Sequence, residues 1–343
     1  MPGFALLIAP SANKVYASSA IELTVAELRL FSREVQELDI RNVDKTTIGG
    51  LPYVVFDCTD IDSRKISFIS NLSSAYALFE RCEGALLPVE LISGEKLDSD
   101  LITIQRYAGK TNEQFTRLML NLALVCSDFR ERAFTGGLHV FDPVFGRGTT
   151  LNRALTYGHH VGGTELDKRS FDGYQSFIKT WLKDKRFKHR LTAQPVKKNK
   201  KLIATRFDVT LARSRDALKA GEQQTINAVN VDTRRSLDFF AKDSHHVIVG
   251  DLPYGIRHGA GVRGELSRTP DVLVADCLPV WAKILKTGGT LALSWNTRNF
   301  ARDKFVVLLR DAGLLVLDDG LDKAFKHRVD HVITRDLIVA KKV

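Results

Sequence analysis

The chemistry in this chain of 343 residues is concentrated where apolar runs end in polar or glycine-rich turns. The most informative is VIVGDLPYGIRHG, residues 247–259, in which an apolar strand delivers Asp251, Leu252, Pro253 and Tyr254 in succession. An amine conjugated into a ring is a poor nucleophile. Acceptors for both of its N–H bonds can draw it toward a tetrahedral form in line with an incoming methyl group. The Asp251 carboxylate can supply one acceptor and the Leu252 carbonyl the other. Pro253 disfavours the helical region for Leu252 and so helps to fix that carbonyl. Tyr254 offers a face on which a planar base can stack. The pattern suits methyl transfer to an exocyclic amine.

Three upstream junctions would complete such a site. In FDPVFGRGTT, residues 141–150, a glycine-rich turn lies between a strand and a helix. Such a turn lets the backbone approach a ligand and aims helix N-terminal amides at it. A nicotinamide-type GxGxxG is absent, since Leu151 stands where the third glycine would be. Thr164-Glu165 follows seventeen residues after Gly148. The carboxylate there can accept hydrogen bonds from a ribose diol, or simply be a solvated loop acid. Asp232, in VNVDTRRSL, can accept from an adenine amino group or serve as the N-cap of the next helix.

The elements that must position these residues follow from periodicity. From Leu138 to Ala340 strands and helices alternate, which predicts a parallel, doubly wound sheet with ligands at its carboxyl ends. A helix is expected over 234–242, and Trp295 reads as a packed strand-end residue. Residues 1–95 run β-α-β-β-α-β, with strands expected at 37–43 and 52–57, among others. That order predicts a small ferredoxin-like α+β domain whose polar residues are surface. Residues 96–110 read as a linker, and Thr111 with Gln114 as a capping box. The helix that follows, marked by Phe115, Leu118, Leu122, Val125 and Cys126, should bury one face. The catalytic domain then spans 111–343, with an insertion at about 181–213.

That insertion carries most of the chain's net charge of +10. Between Trp181 and Thr205 lie Lys183, Lys185, Arg186, Lys188, Arg190, Lys197, Lys198, Lys200 and Lys201 against the single acid Asp184, a local +8. Such a block persists when solvated or paired with a polyanion. Trp181, Phe187 and His189 are interleaved with it, a composition that suits RNA or single strands. KKNKK reads as the turn of a basic β-hairpin. Hydrophobic residues at 44% and charged residues at 26% exclude a disordered chain or a coiled coil, and no apolar run is long enough to span a bilayer. Four scattered cysteines and nine histidines show no metal spacing or disulfide framework. The expectation is a reduced, cytoplasmic protein without a metal or a membrane partner.

The motif order FDPxxGxG…E…D…DxPYG resembles that of class I S-adenosylmethionine-dependent methyltransferases that act on amines. It is most similar to the tRNA guanine-N2 methyltransferase family and its RNA methylase relatives, whose DPPYG and short basic sequel Asp251–Gly255 and Ile256-Arg257-His258 resemble. Gly109–Leu124 resembles the helix before their first catalytic strand. The resemblance implies a Rossmann-like α/β fold behind a ferredoxin-like module. Asp142, Pro143, Gly146 and Gly148 would then hold the methionine part of the cofactor, Glu165 the ribose and Asp232 the adenine amine. Asp251, Leu252, Pro253 and Tyr254 would grip the target amine, with Arg257 near the acceptor. Leu252 replaces the family's first proline, and Arg147 stands where a small residue is usual. Between the ferredoxin-like module and the catalytic domain there is too little chain for the THUMP domain common in these enzymes, which leaves the basic segment to hold RNA, most simply tRNA. Amine methylation of DNA at adenine N6 or of a protein glutamine shares the same motif logic. So does a non-catalytic RNA-binding protein that keeps the fold.

Overall fold

The computed structural model describes residues 2–11, 13–253, 270–317 and 324–343. The N-terminal part comprises β1 (Gly3–Ile8), α1 (Lys14–Glu34), β2 (Ile40–Ile48), β3 (Leu51–Cys58), α2 (Ser63–Ser70), β4 (Ala75–Cys82) and β5 (Ala85–Val89). Its sheet runs β2-β3-β1-β4-β5 and is antiparallel throughout, the ferredoxin-like arrangement with one added edge strand. Asn13 caps α1 by accepting the Val15 and Tyr16 amides. Strand was expected from Glu37. Residues Gln36–Leu38 instead form a 3₁₀ turn that Asp39 ends in the left-handed region, so β2 starts at Ile40.

The remainder comprises α3 (Asp100–Thr103), α4 (Glu113–Cys126), β6 (His139–Asp142), α5 (Thr149–Thr156), β7 (His160–Glu165), α6 (Lys168–Asp184), β8 (Lys188–Lys198), β9 (Lys201–Ala212), α7 (Arg215–Lys219) and β10 (Gln224–Asn230). It continues with β11 (His245–Asp251), α8 (Pro270–Ile284), β12 (Leu285–Asn296), α9 (Arg302–Asp311), β13 (Leu314–Val316), β14 (His327–Arg328) and β15 (Thr334–Lys342). These strands form one sheet in the order β13-β15-β12-β11-β6-β7-β10-β9-β8, with the short β14 pairing β15 off this path. Five neighbours, β12 to β10, are parallel, and β15 is inserted antiparallel beside β12. This is the Rossmann-like α/β fold of a class I methyltransferase. The chain winds outward in both directions from β6 and β11, so their carboxyl ends form the topological switch point, where such sheets bind ligands.

The two parts share one core. Helix α4 was expected to bury one face, yet eleven of its fourteen residues are buried, because α1 covers the side that the large sheet leaves open. The polar residues of the N-terminal module are not all surface. Glu27 of α1 is fully buried and accepts from the Ser73 amide (2.8 Å), the Ser73 hydroxyl (2.6 Å) and the Asn121 amide of α4 (2.7 Å). Burial pushes its carboxyl up to about 7, against those donors. Residues 96–110 are also packed: Leu97, Leu101 and Ile102 are buried, and Asp98 and Asp100 hold Lys185 at the end of α6.

At the opposite edge of the large sheet from the switch point, the strand starts gather histidines. The rings of His139 and His160 stack at 4.6 Å, with His246 5.7 Å and His245 6.0 Å from His139. Burial lowers all four, His245 to about 3 and His139 and His246 to about 4. The fully buried His159 is likewise lowered to about 3 by burial, and His327 to about 4.

Two predictions follow from this packing. Replacing Glu27 with Ala strips three donors of their acceptor and should cost about 2–4 kcal/mol in denaturant unfolding, whereas Glu27→Gln should cost less than half of that. As pH falls from 6.5 toward 4, the unfolded chain takes up imidazole protons that the folded chain refuses, so stability should fall. Glu27 and Asp142, raised to about 7 by burial, and Glu165 and Asp336, also raised by burial, act in the opposite direction, but the four are outnumbered by the six histidines. Thermal unfolding should show this decline, and His245→Gln should make it shallower by up to about 1.4 kcal/mol per pH unit.

Candidate active site

The switch-point cleft is lined by acids at the ends of β6, β7 and β11, with a fourth after β10 at its rim. Asp142 ends β6, is only 2% exposed, and accepts the Val144 amide at 2.9 Å. Burial, reinforced by the charges of Glu165 and Asp251, pushes its carboxyl up to about 7, although Val144 and Thr150 donate to it. Pro143 is fixed because its carbonyl accepts the Thr164 hydroxyl at 2.7 Å. The turn then passes through Gly146 (φ 56°) and Gly148 (φ 83°), both left-handed. A Cβ on Gly148 would lie 2.2 Å from the buried Tyr174 ring. On Gly146 it would meet nothing within 4 Å, so this glycine forms the open side of the turn.

Glu165 ends β7 and closes the turn from the next strand. Its Oε2 accepts the Gly146 amide at 2.8 Å and its Oε1 the Asp167 amide at 2.6 Å. Burial raises its carboxyl above the usual range. Asp232 follows β10 at the rim. It caps a 3₁₀ turn, Thr233–Asp238, by accepting the Arg234 amide at 3.0 Å, and the same carboxylate is ion-paired with the Arg234 guanidinium. The helix expected over 234–242 is only this turn.

Asp251 ends β11, opposite Ser294 in the register with β12. Its Oδ1 accepts the Ser294 hydroxyl, and its Oδ2 accepts the Thr111 hydroxyl at 2.6 Å and lies 3.5 Å from the Arg335 guanidinium. Arg335 is itself 5% exposed and packs over the Phe115 ring at 4.4 Å. Leu252 is buried and donates its amide to the Ser294 carbonyl at 2.9 Å, which sets the course of the chain into Pro253. Tyr254 and Arg257 lie outside the described residues.

Several of these partners were not legible. Thr111 was read as half of a capping box. Asn112 instead caps α4 by accepting the Phe115 amide, which frees Thr111 for Asp251 and sends Gln114 to the Ala9 carbonyl. Tyr107, in the segment read as a linker, bonds Thr149 at 2.7 Å and lies under the Arg147 guanidinium at 5.2 Å. That contact accommodates the arginine where a small residue is usual. Ser294 was recoverable only from register, and Arg335 was not singled out, its one signal being a cation just before the apolar run LIVA. Trp295 is packed as expected, 1% exposed and bonded to the Phe300 carbonyl.

The basic segment is part of the sheet. β9 pairs antiparallel with β10 and β8 forms the outer edge, joined by Asn199-Lys200, both at positive φ as a tight hairpin requires. Thr205 pairs with Asn230, the last residue of β10, so the tip at 197–201 projects past the carboxyl ends of the parallel strands. Lys183, Arg186, Lys188, Arg190, Lys197, Lys198, Lys200 and Lys201 are exposed. Two expected members differ. Lys185 is ion-paired with Asp98 and Asp100, and Trp181 is buried, its indole donating to Asp100 at 2.9 Å. Trp181 therefore cannot stack on a base. Among the described residues no group of three or more His, Cys, Asp or Glu is arranged to hold a metal, and no helix is long and apolar enough to cross a membrane.

No protein-family model and no curated protein matches this chain. Solved structures do resemble it. TrmN from Thermus thermophilus is 14% identical over the full length of both chains, with a TM-score of 0.44. A TehB-like SAM-dependent methyltransferase from Corynebacterium glutamicum is 14% identical over 60% of this chain and 81% of its own, with a TM-score of 0.34. A ribosomal protein L11 methylase from Lactobacillus delbrueckii subsp. bulgaricus is 15% identical over 67% and 80%, with a TM-score of 0.36. Residue roles in this chain rest on its own geometry.

The two glycines of the turn should respond differently to substitution. Gly148→Ala drives a methyl into Tyr174 at a left-handed position and should cost about 3 kcal/mol or more in unfolding experiments. Gly146→Ala meets open space and should cost only about 1–2 kcal/mol, from backbone conformation alone.

Proposed function

We propose that the protein transfers a methyl group from S-adenosylmethionine to an exocyclic amine of an RNA base, guanine N2 in tRNA being the leading acceptor. The observation that carries this reading is the Asp251 carboxylate, held at the end of β11 by Thr111, Ser294 and Arg335 beside the turn that follows β6.

The residues present fit that cofactor. The side of Gly146 that a Cβ would fill is open, and the donors on Glu165 leave part of the capacity of its two oxygens for hydroxyls. Asp142, buried and raised to about 7, is a carboxyl whose charge an adjacent ammonium would stabilise. Asp232 would reach an adenine amine only by sharing its carboxylate with Arg234. When bound, S-adenosylmethionine supplies an electrophilic methyl group on a cationic sulfur.

The chain's own contribution is positioning. Asp251 would accept one amine N–H and the Leu252 carbonyl the other, which turns the nitrogen lone pair toward the methyl. The Arg335 guanidinium, 3.5 Å from Asp251 Oδ2, helps to hold that carboxylate in place. The exposed hairpin lysines, projecting past the same sheet edge, would hold the phosphates of the acceptor. An RNA substrate accounts for these cations; a glutamine acceptor has no use for them.

The test is transfer of labelled methyl groups to total RNA, with cofactor affinity measured by calorimetry. Asp251→Ala should reduce transfer by about 10²-fold or more while cofactor affinity stays within about threefold. An unchanged rate in Asp251→Ala contradicts the mechanism. Wild-type protein without affinity for the cofactor contradicts the enzyme reading.

A further inference from the structure

The hairpin does more than expose cations. Between its outer face and the 3₁₀ turn Thr233–Asp238 lies a groove of about 410 Å³, in the size range of small-molecule sites. Val196, Ile203 and Phe239 line it with apolar surface, and Gln194 and Lys198 contribute an amide and an ammonium group. Two guanidinium groups complete it, and each is hydrogen-bonded to a neighbouring carboxylate. Arg206 donates its Nε to both oxygens of Asp208, at 2.9 and 2.8 Å. Arg235 donates Nε and Nη2 to Asp238, at 3.0 and 2.8 Å. The turn itself is anchored, since the Trp281 indole donates to the Thr233 hydroxyl at 2.9 Å.

We infer that this groove binds one unpaired nucleotide of the RNA acceptor, beside and apart from the target base; the inference rests on the RNA reading above. Guanidinium planes and an aromatic ring are the surfaces on which unstacked bases rest, and an amide can read a base edge. The paired charges of Arg206 and Arg235 leave planarity, more than net charge, as what they offer. Charge for the flanking phosphates comes from Lys198 at the groove and from the exposed Lys197, Lys200 and Lys201 at the tip. The groove lies at the level of the strand ends, because Arg206 pairs with Val229 near the end of β10. Four strand spacings separate β9 from β11, roughly 19 Å, so the bound nucleotide would stand at most about six stacked residues from the base at Asp251. The site would therefore favour acceptors with a single-stranded segment close to the target.

The experiment measures binding of the full chain, without cofactor, to a labelled single-stranded RNA of about twelve nucleotides and to the duplex it forms with its complement. The double variant R206K/R235K keeps the charge and removes both planes. It should lose about tenfold or more in single-strand affinity and less than about threefold in duplex affinity, with Phe239→Ser behaving alike. Lys197→Ala/Lys200→Ala should weaken both probes equally and flatten the salt dependence. Wild-type affinity in R206K/R235K, an equal loss on both probes, or competition by polyglutamate as effective as by RNA overturns the groove assignment. Because cofactor is absent, a protein that shows the strand preference but transfers no methyl group overturns the methylation reading alone.

Discussion

A carboxylate at the end of a buried strand must be surrounded by donors, and Asp251 draws them from three distant parts of the chain. Thr111 comes from the start of α4, Ser294 from β12 and Arg335 from β15. Much of the architecture follows from satisfying that group. β12 must be in parallel register with β11 to bring Ser294 opposite, and β15 must run antiparallel beyond it to bring in Arg335. Helix α4 must be held with its first turn at the same edge. The N-terminal module contributes to that last requirement, since α1 covers α4 and Glu27 bonds Asn121 within it. The ferredoxin-like part is thus joined to the large sheet by a buried polar contact and a common apolar core.

Charge is divided as sharply as packing. The acids gather at the switch point, where burial first, then the charges of Glu165 and Asp251, raise the Asp142 carboxyl, and burial raises that of Glu165. The cations project from the hairpin edge, four strand positions away. A ligand that carries a positive centre and an acceptor that carries negative phosphates would each find a complementary end of one surface. Lys185 shows the limit of reading such a segment as uniform, because it serves to tie α6 to residues 98 and 100.

The fold was largely legible because its signals are periodic: alternating strands and helices, glycine-rich strand ends, and an Asn-Lys turn between two strands. The acidic strand ends were legible for the same reason. What escaped was set by tertiary contact. Thr111 and Asn112 are adjacent and both can cap, and only the position of Asp251 decides between them. Tyr107 carries no local signal, since its role depends on Arg147 lying across it. Glu27 looked like a surface acid because its partners, Ser73 and Asn121, are far away in sequence. Trp181 looked like a stacking residue because its basic neighbours hid the buried face of α6.

The central claim is chemical: Asp251 and the Leu252 carbonyl aim an exocyclic amine at a methyl donor. The most direct measurement is the identity of the product, obtained by digesting RNA labelled by the wild-type protein and resolving the modified nucleosides. The account predicts a single nucleoside methylated on its exocyclic amine, N2-methylguanosine first among them. Label on a ring nitrogen, a carbon or a ribose oxygen, or in DNA or protein to the exclusion of RNA, would contradict it.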